Sequence, residues 1–124
     1  MLIIGMLFGN IFQATCPSLR TEFENANLFR PWSDPLMLLY FVHPFLSGII
    51  LALVWNKTKV LFTGTSAIIN GLCFGLIYWI FTIPGMIISY ASFPVSFMMI
   101  SDWTVSNLFE GLCVGILLSK TIKK

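Results

Sequence analysis

Apolar residues in this chain come in long runs, and the runs are separated by short polar stretches. The first, from Met1 to about Ala14, is short. The second extends from about Pro35 to Trp55. The third extends from about Leu61 to Tyr90 with Pro84-Gly85 inside it, and the fourth from about Pro94 or Ser101 to Ser119. A helix that crosses a bilayer needs about 20 apolar residues. The last three runs reach that length, and the first does so only if it continues through Cys16 towards Leu19. The pattern predicts an all-α, integral membrane four-helix bundle with a short first helix, in a single domain covering 1–124. Its helices are expected at about 1–17, 35–55, 61–90 (broken at 84–85) and 95–119. Segment 20–34, which mixes charges with Phe23, Phe29 and Trp32, reads as a connector lying in the membrane interface, where Trp and Arg are at home. The first run has no Lys or Arg before it, and "QATC" is a poor cleavage site, so it reads as a retained helix and not a signal peptide.

Composition supports this reading. Of the 124 residues, 57% are hydrophobic and 10% charged, against about 25% charged in ordinary soluble domains. The net charge of +2 is too small and dispersed for a nucleic-acid partner. With four spans, Lys57, Lys59, Lys120, Lys123 and Lys124 share one side. Arg20 and Arg30 lie on the other, accompanied by Glu22, Glu24, Asp34 and Asp102. The positive-inside bias then places both termini in the cytoplasm of a prokaryotic cell, with the protein in the plasma membrane. Asp34 and Asp102 are expected to cap the second and fourth helices. Cys16, Cys73 and Cys113 are an odd number in no metal spacing and read as small buried residues.

Helices in lipid approach one another through small residues and interhelical hydrogen bonds. Each run has small residues at four-residue spacing: Gly5 and Gly9; Gly48 and Ala52; Ala67, Gly71 and Gly75; Asn107, Gly111, Gly115 and Ser119. Several polar groups also fall inside the runs. Glu110 lies roughly 12 Å along its helix from Asp102. His43, eight residues into the second helix, is expected at the same depth, as are Gln13 and Asn10 on the first. Glu110, His43, Gln13, Asn107 and Asn10 are therefore expected to form one polar layer that knits the helices together. An ionisable group in such a layer also suits a proton or ion path. Asn70 reads as a neutral counterpart nearer the cytoplasmic side.

The order of features, ending in "SDWTVSNLFEGLCVGILLSK", resembles small four-helix membrane proteins widespread in prokaryotes and grouped only as domains of unknown function. The resemblance implies a four-helix fold and no activity. Enzyme signatures are missing: there is no paired-Cys site, no Gly-rich loop before a lysine and no Ser-His-Asp set. One His without a ligand at metal spacing gives no haem or metal site. The expected function is a non-catalytic accessory or assembly subunit of a larger membrane complex, with no cofactor, and with other membrane subunits and lipid as partners. The alternative is a small oligomeric transporter or channel using the Glu110/His43 layer.

Overall fold

The computed structural model describes residues 2–25, 28–31, 33–64 and 66–122. Met1, Trp32, Lys123 and Lys124, which entered the reading above, lie outside the described residues. The fold is all-α. Among the described residues five helices follow in order: α1 (Leu2–Thr15), α2 (Pro17–Phe23), α3 (Leu38–Thr58), α4 (Ala67–Ser92) and α5 (Phe97–Thr121). There is no strand among the described residues. Single 3₁₀ turns at Pro35–Met37 and Lys59–Leu61 precede and follow α3.

The extra helix arises where the first run ends. Thr15 closes α1, Cys16 is extended, and Pro17 opens α2. Proline suits a first helical position because it lacks the N–H that would be unpaired there anyway. The connector expected at 20–34 is thus partly helical. In α2, Leu19 is buried while Arg20 and Glu24 pair on the exposed side at 3.1 Å.

Two further expectations are corrected. The third helix starts at Ala67, not Leu61, because the Ser66 hydroxyl accepts the Ile69 N–H and caps it. It then runs unbroken through Pro84-Gly85. A proline removes one intrahelical bond, which neighbouring turns in an apolar helix tolerate. Gly85 keeps an ordinary negative φ, so nothing there redirects the chain.

Helices α4 and α5 form an antiparallel pair held by a seam of glycines. Gly71 and Gly75 lie directly on the backbone of Gly111 and Gly115. A Cβ on Gly71 would sit 2.6 Å from the Gly115 carbonyl oxygen, and one on Gly75 would sit 2.8 Å from the Leu112 Cα. Further along, the Trp79 indole N–H donates to the Thr104 carbonyl at 2.9 Å.

Two apolar clusters flank the seam. At the lysine end, Leu51 and Trp55 of α3 pack on Phe74, Phe62, Val114 and Leu118, and the Trp55 indole donates to the Ile122 carbonyl at 3.0 Å. At the opposite end, Leu19, Val95, Met99 and Ile100 are buried together, with Phe12, Cys16 and Trp103 against them. Among the described residues, helix α3 is attached near its C-terminal end. Leu51 and Trp55 are its buried residues, while Leu38, Phe45, Ile49 and Leu53 stand exposed.

Asp34 caps the 3₁₀ turn Pro35–Met37 that leads into α3, and not α3 itself, whose cap position is Met37. Its carboxylate accepts the Leu36 N–H at 2.9 Å and pairs with Arg30 at 2.8 Å. The Leu36 N–H and then the Arg30 guanidinium hold this carboxyl below its ordinary value of 3.8. The folded chain favours the ionised form, so the cap is complete above pH 3.8 and is lost as pH falls through the lower folded value. The Leu36 amide resonance should accordingly titrate below pH 3.8; a midpoint at or above that value means that the cap does not form.

Asn70 has a definite task. Its Oδ1 accepts the Gly64 N–H at 2.7 Å and its Nδ2 faces the Gly64 carbonyl at 3.5 Å. The side chain is buried, so it clamps the loop before α4 with one acceptor and one donor. Only an amide offers both at that length. Asn70→Ala should cost about 1–3 kcal/mol and speed hydrogen exchange at the Gly64 amide. Unchanged exchange would mean that the clamp does not hold the loop.

Candidate functional site

The polar residues of α5 are set by the way the helix begins. Ser96, just before the first turn, accepts the Met99 N–H and is the cap. The Ser96 N–H is taken in turn by the Glu22 carboxylate of α2. Asp102 is therefore not the expected cap. It lies six residues inside the helix and is 2% exposed.

Asp102, Ser106 and Glu110 follow at four-residue spacing and so lie along one side of α5. That side is the one on which α1 and α2 pack. Gly5 lies on the Glu110 carboxyl, Phe8 stacks on Phe109 with ring centroids 4.4 Å apart, and Cys16 and Leu19 meet Met99. The contact between Glu110 and Gly5 leaves no room for a Cβ at Gly5.

The partners are few. The Ser106 hydroxyl donates to Asp102 Oδ1 at 3.4 Å, a long bond within the helix. Neither carboxyl forms an ion pair among the described residues. Tyr78 of α4 reaches the same level from the other side, its ring lying against Gly111.

The polar layer expected from the sequence is not assembled. His43 is exposed on α3 and lies 3.3 Å from Ser47 on its own helix. It does not join Glu110, because α3 is anchored at its far end and its upper half is uncovered. Asn10 is exposed, and its amide donates to the Met6 carbonyl one turn back. Gln13 and Asn107 are partly buried. Of the five residues, only Glu110 has a described contact with another helix. Asp102 was missed because its place near the start of α5 reads as a cap; the better sequence signal was Ser96, immediately before the apolar run.

The expected packing glycines also divide. Gly71, Gly75, Gly111 and Gly115 form the α4–α5 seam, and Gly5 meets Glu110. Gly9 and Gly48 have no heavy atom within 4 Å of an added Cβ among the described residues, so neither is a packing position there. Ala52 is partly buried.

Among the described residues no three His, Cys, Asp or Glu side chains converge as metal ligands. Comparison with protein-family models, with curated proteins and with solved structures finds no match.

Proposed function

We propose that this chain is an integral membrane protein acting as a non-catalytic accessory or assembly subunit of a larger membrane complex. Two helical segments, Pro35–Leu61 and Ala67–Ser92, are long and apolar enough to cross a membrane. Helix α5, with 25 residues, has the length to accompany them although it is more polar. The observation that carries the subunit reading is the state of α3. Its segment is 27 residues long with mean hydropathy 2.1, yet only 6% of its most apolar window is buried. Such a helix needs lipid or partner helices around it, and an assembly subunit supplies a surface of this kind.

The packing at the lysine end supports a cytoplasmic placement of that end. Trp55 meets Ile122 there, so Lys57, Lys59 and Lys120 share one end, which the positive-inside bias assigns to the cytoplasm. Helix α1 has 14 residues, or about 21 Å at 1.5 Å per residue, against a hydrocarbon core of about 30 Å. Along α5 it covers the half from Glu110 towards Ser96, so in the bilayer it is a half-crossing element. The transporter alternative lacks the layer on which it rests, because His43 stands apart from Glu110.

Gentle extraction followed by a native gel and mass spectrometry of comigrating chains tests the proposal. A defined complex containing other membrane subunits is expected. A lone, stable, small species would rule the subunit reading out.

A further inference from the structure

We propose that the open side of α3, from Gly48 and Ser47 outward to His43, is a docking cleft for one membrane-spanning helix of a partner subunit, which presents a carboxyl or carboxamide group to His43 and to Asn107 of α5. The inference rests on the subunit reading and deepens it, by assigning the surface and the chemistry of the contact.

The cleft follows from the way α3 is held. Gly48 lies seven residues before Trp55 and Ser47 four before Leu51, so both share the side of α3 that packs on its neighbours. Leu51 and Trp55 are buried on that side. Further outward the same side is open. A Cβ on Gly48 would meet no heavy atom within 4 Å among the described residues, and His43 is exposed.

The facing wall is α5. Val114 packs in the cluster around Trp55, and Asn107, seven residues before it, lies on the same side two turns outward. At 1.5 Å per residue, His43 stands roughly 18 Å outward of Trp55 and Asn107 roughly 22 Å outward of Ile122. Trp55 and Ile122 meet, so His43 and Asn107 stand within one turn of the same height. Gly48 is the midpoint of the Pro35–Leu61 segment. His43 is five residues from it, about 7.5 Å, well inside a hydrocarbon core of about 30 Å.

The walls select the occupant. Asn107 is half-buried, and its amide has no hydrogen-bond partner among the described residues. The contact of His43 with Ser47 at 3.3 Å uses Nε2 and leaves the other ring nitrogen. Lipid tails can pair with neither group, and polar groups left unpaired in hydrocarbon are costly. A second copy meeting this patch across a two-fold axis would set imidazole against imidazole, like against like. A carboxyl or carboxamide oxygen instead accepts from both the Asn107 amide and an imidazole N–H. Gly48 leaves room for the backbone that carries it, as small residues do between membrane helices.

The test replaces the parent by single variants in its own membrane and measures, on a native gel, the share of the chain held in the complex. His43→Leu should lower that share by about three- to twentyfold, the range that interhelical hydrogen bonds produce in membranes. His43→Gln, which keeps a hydrogen-bonding tip, should retain most of it, and Gly48→Leu, which fills the cleft, should remove it. Ile49→Ala and Leu53→Ala, exposed on the opposite side of α3, should change nothing. Neither His43 nor Gly48 has a described contact with another helix, so the variants should fold as the parent does, which an unchanged detergent unfolding midpoint checks. A photoreactive benzophenone at position 47 should cross-link to a spanning segment that contains Asp, Glu, Asn or Gln. A parent complex that His43→Leu and Gly48→Leu leave intact overturns the cleft and spares the subunit reading. Cross-linking only to lipid, to a second copy of this chain or to a segment without those residues overturns the proposal as well. Absence of any complex from the parent overturns the subunit reading and the cleft with it.

Discussion

Gly75→Leu is expected to separate α4 from α5 and to abolish the folded state. Even a Cβ at this position overlaps the Gly111 carbonyl and lies 2.7 Å from the Gly111 carbonyl carbon and 2.8 Å from the Leu112 Cα. These are backbone atoms of a helix, which cannot swing aside as a flexible side chain would. Overpacking of this kind costs about 1–3 kcal/mol where side chains can yield, so about 3 kcal/mol or more is expected here. Gly115→Leu should behave alike, since its Cβ would overlap the Gly71 carbonyl and lie 3.0 Å from the Gly75 nitrogen. Gly9→Ala and Gly48→Ala are the controls. Nothing lies within 4 Å of either added Cβ, and both should stay within about 0.5 kcal/mol of the parent. Unfolding by sodium dodecyl sulfate titration from mild detergent measures all four. Equal costs at Gly75 and Gly48 would show that the seam does not hold the pair.

The second large effect is expected at Trp55. Its side chain is 2% exposed, donates to the Ile122 carbonyl, and meets the Phe74 ring edge-on with centroids 5.2 Å apart. Truncation of a buried aromatic to Ala costs about 3–5 kcal/mol. Here the loss has a further consequence, because Leu51 and Trp55 are the buried residues through which α3 is attached. Trp55→Ala should free α3 from the α4–α5 pair while that pair stays folded. A single cysteine at 118, in a background where the native cysteines are replaced by Ala, reports the attachment because Leu118 packs against this cluster: maleimide should label it slowly in the parent and faster in the variant. Phe45→Ala, on the exposed part of α3, should leave that labelling unchanged. If Trp55→Ala is labelled no faster than the parent, α3 is held by contacts other than this cluster.

These expectations show which parts of the molecule can be read from the chain. The all-α class was legible because long apolar runs without alternation leave no other regular structure. The seam residues Gly71, Gly75, Gly111 and Gly115 were legible because two helices can touch backbone to backbone only where small residues recur each turn. The same spacing at Gly9 and Gly48 carried the same signal without the contact. A stripe in one helix says that a partner can approach, and the partner itself is fixed by tertiary packing. His43 illustrates a second gap. Counting residues from the helix start gives its height along α3, but neither its rotation nor the splay of α3 follows from a count. Asp102 illustrates a third, since an acid near a helix start reads as a cap until a better one, Ser96, is placed six residues earlier. The unbroken course of α4 through Pro84-Gly85 was hidden for a related reason. Both residues read as breakers in water, where the freed backbone groups have solvent to turn to.

The most direct test of the account is labelling of single cysteines from the two faces of sealed vesicles, in a background where Cys16, Cys73 and Cys113 are replaced by Ala. With the chain crossing the membrane as proposed, cysteines at 59 and 120 react from one side and those at 24 and 30 from the other, while a cysteine at 6, near the Glu110 level, is protected from both. Labelling of all four outer positions from a single side, or release of the chain from the vesicles at alkaline pH, would contradict it.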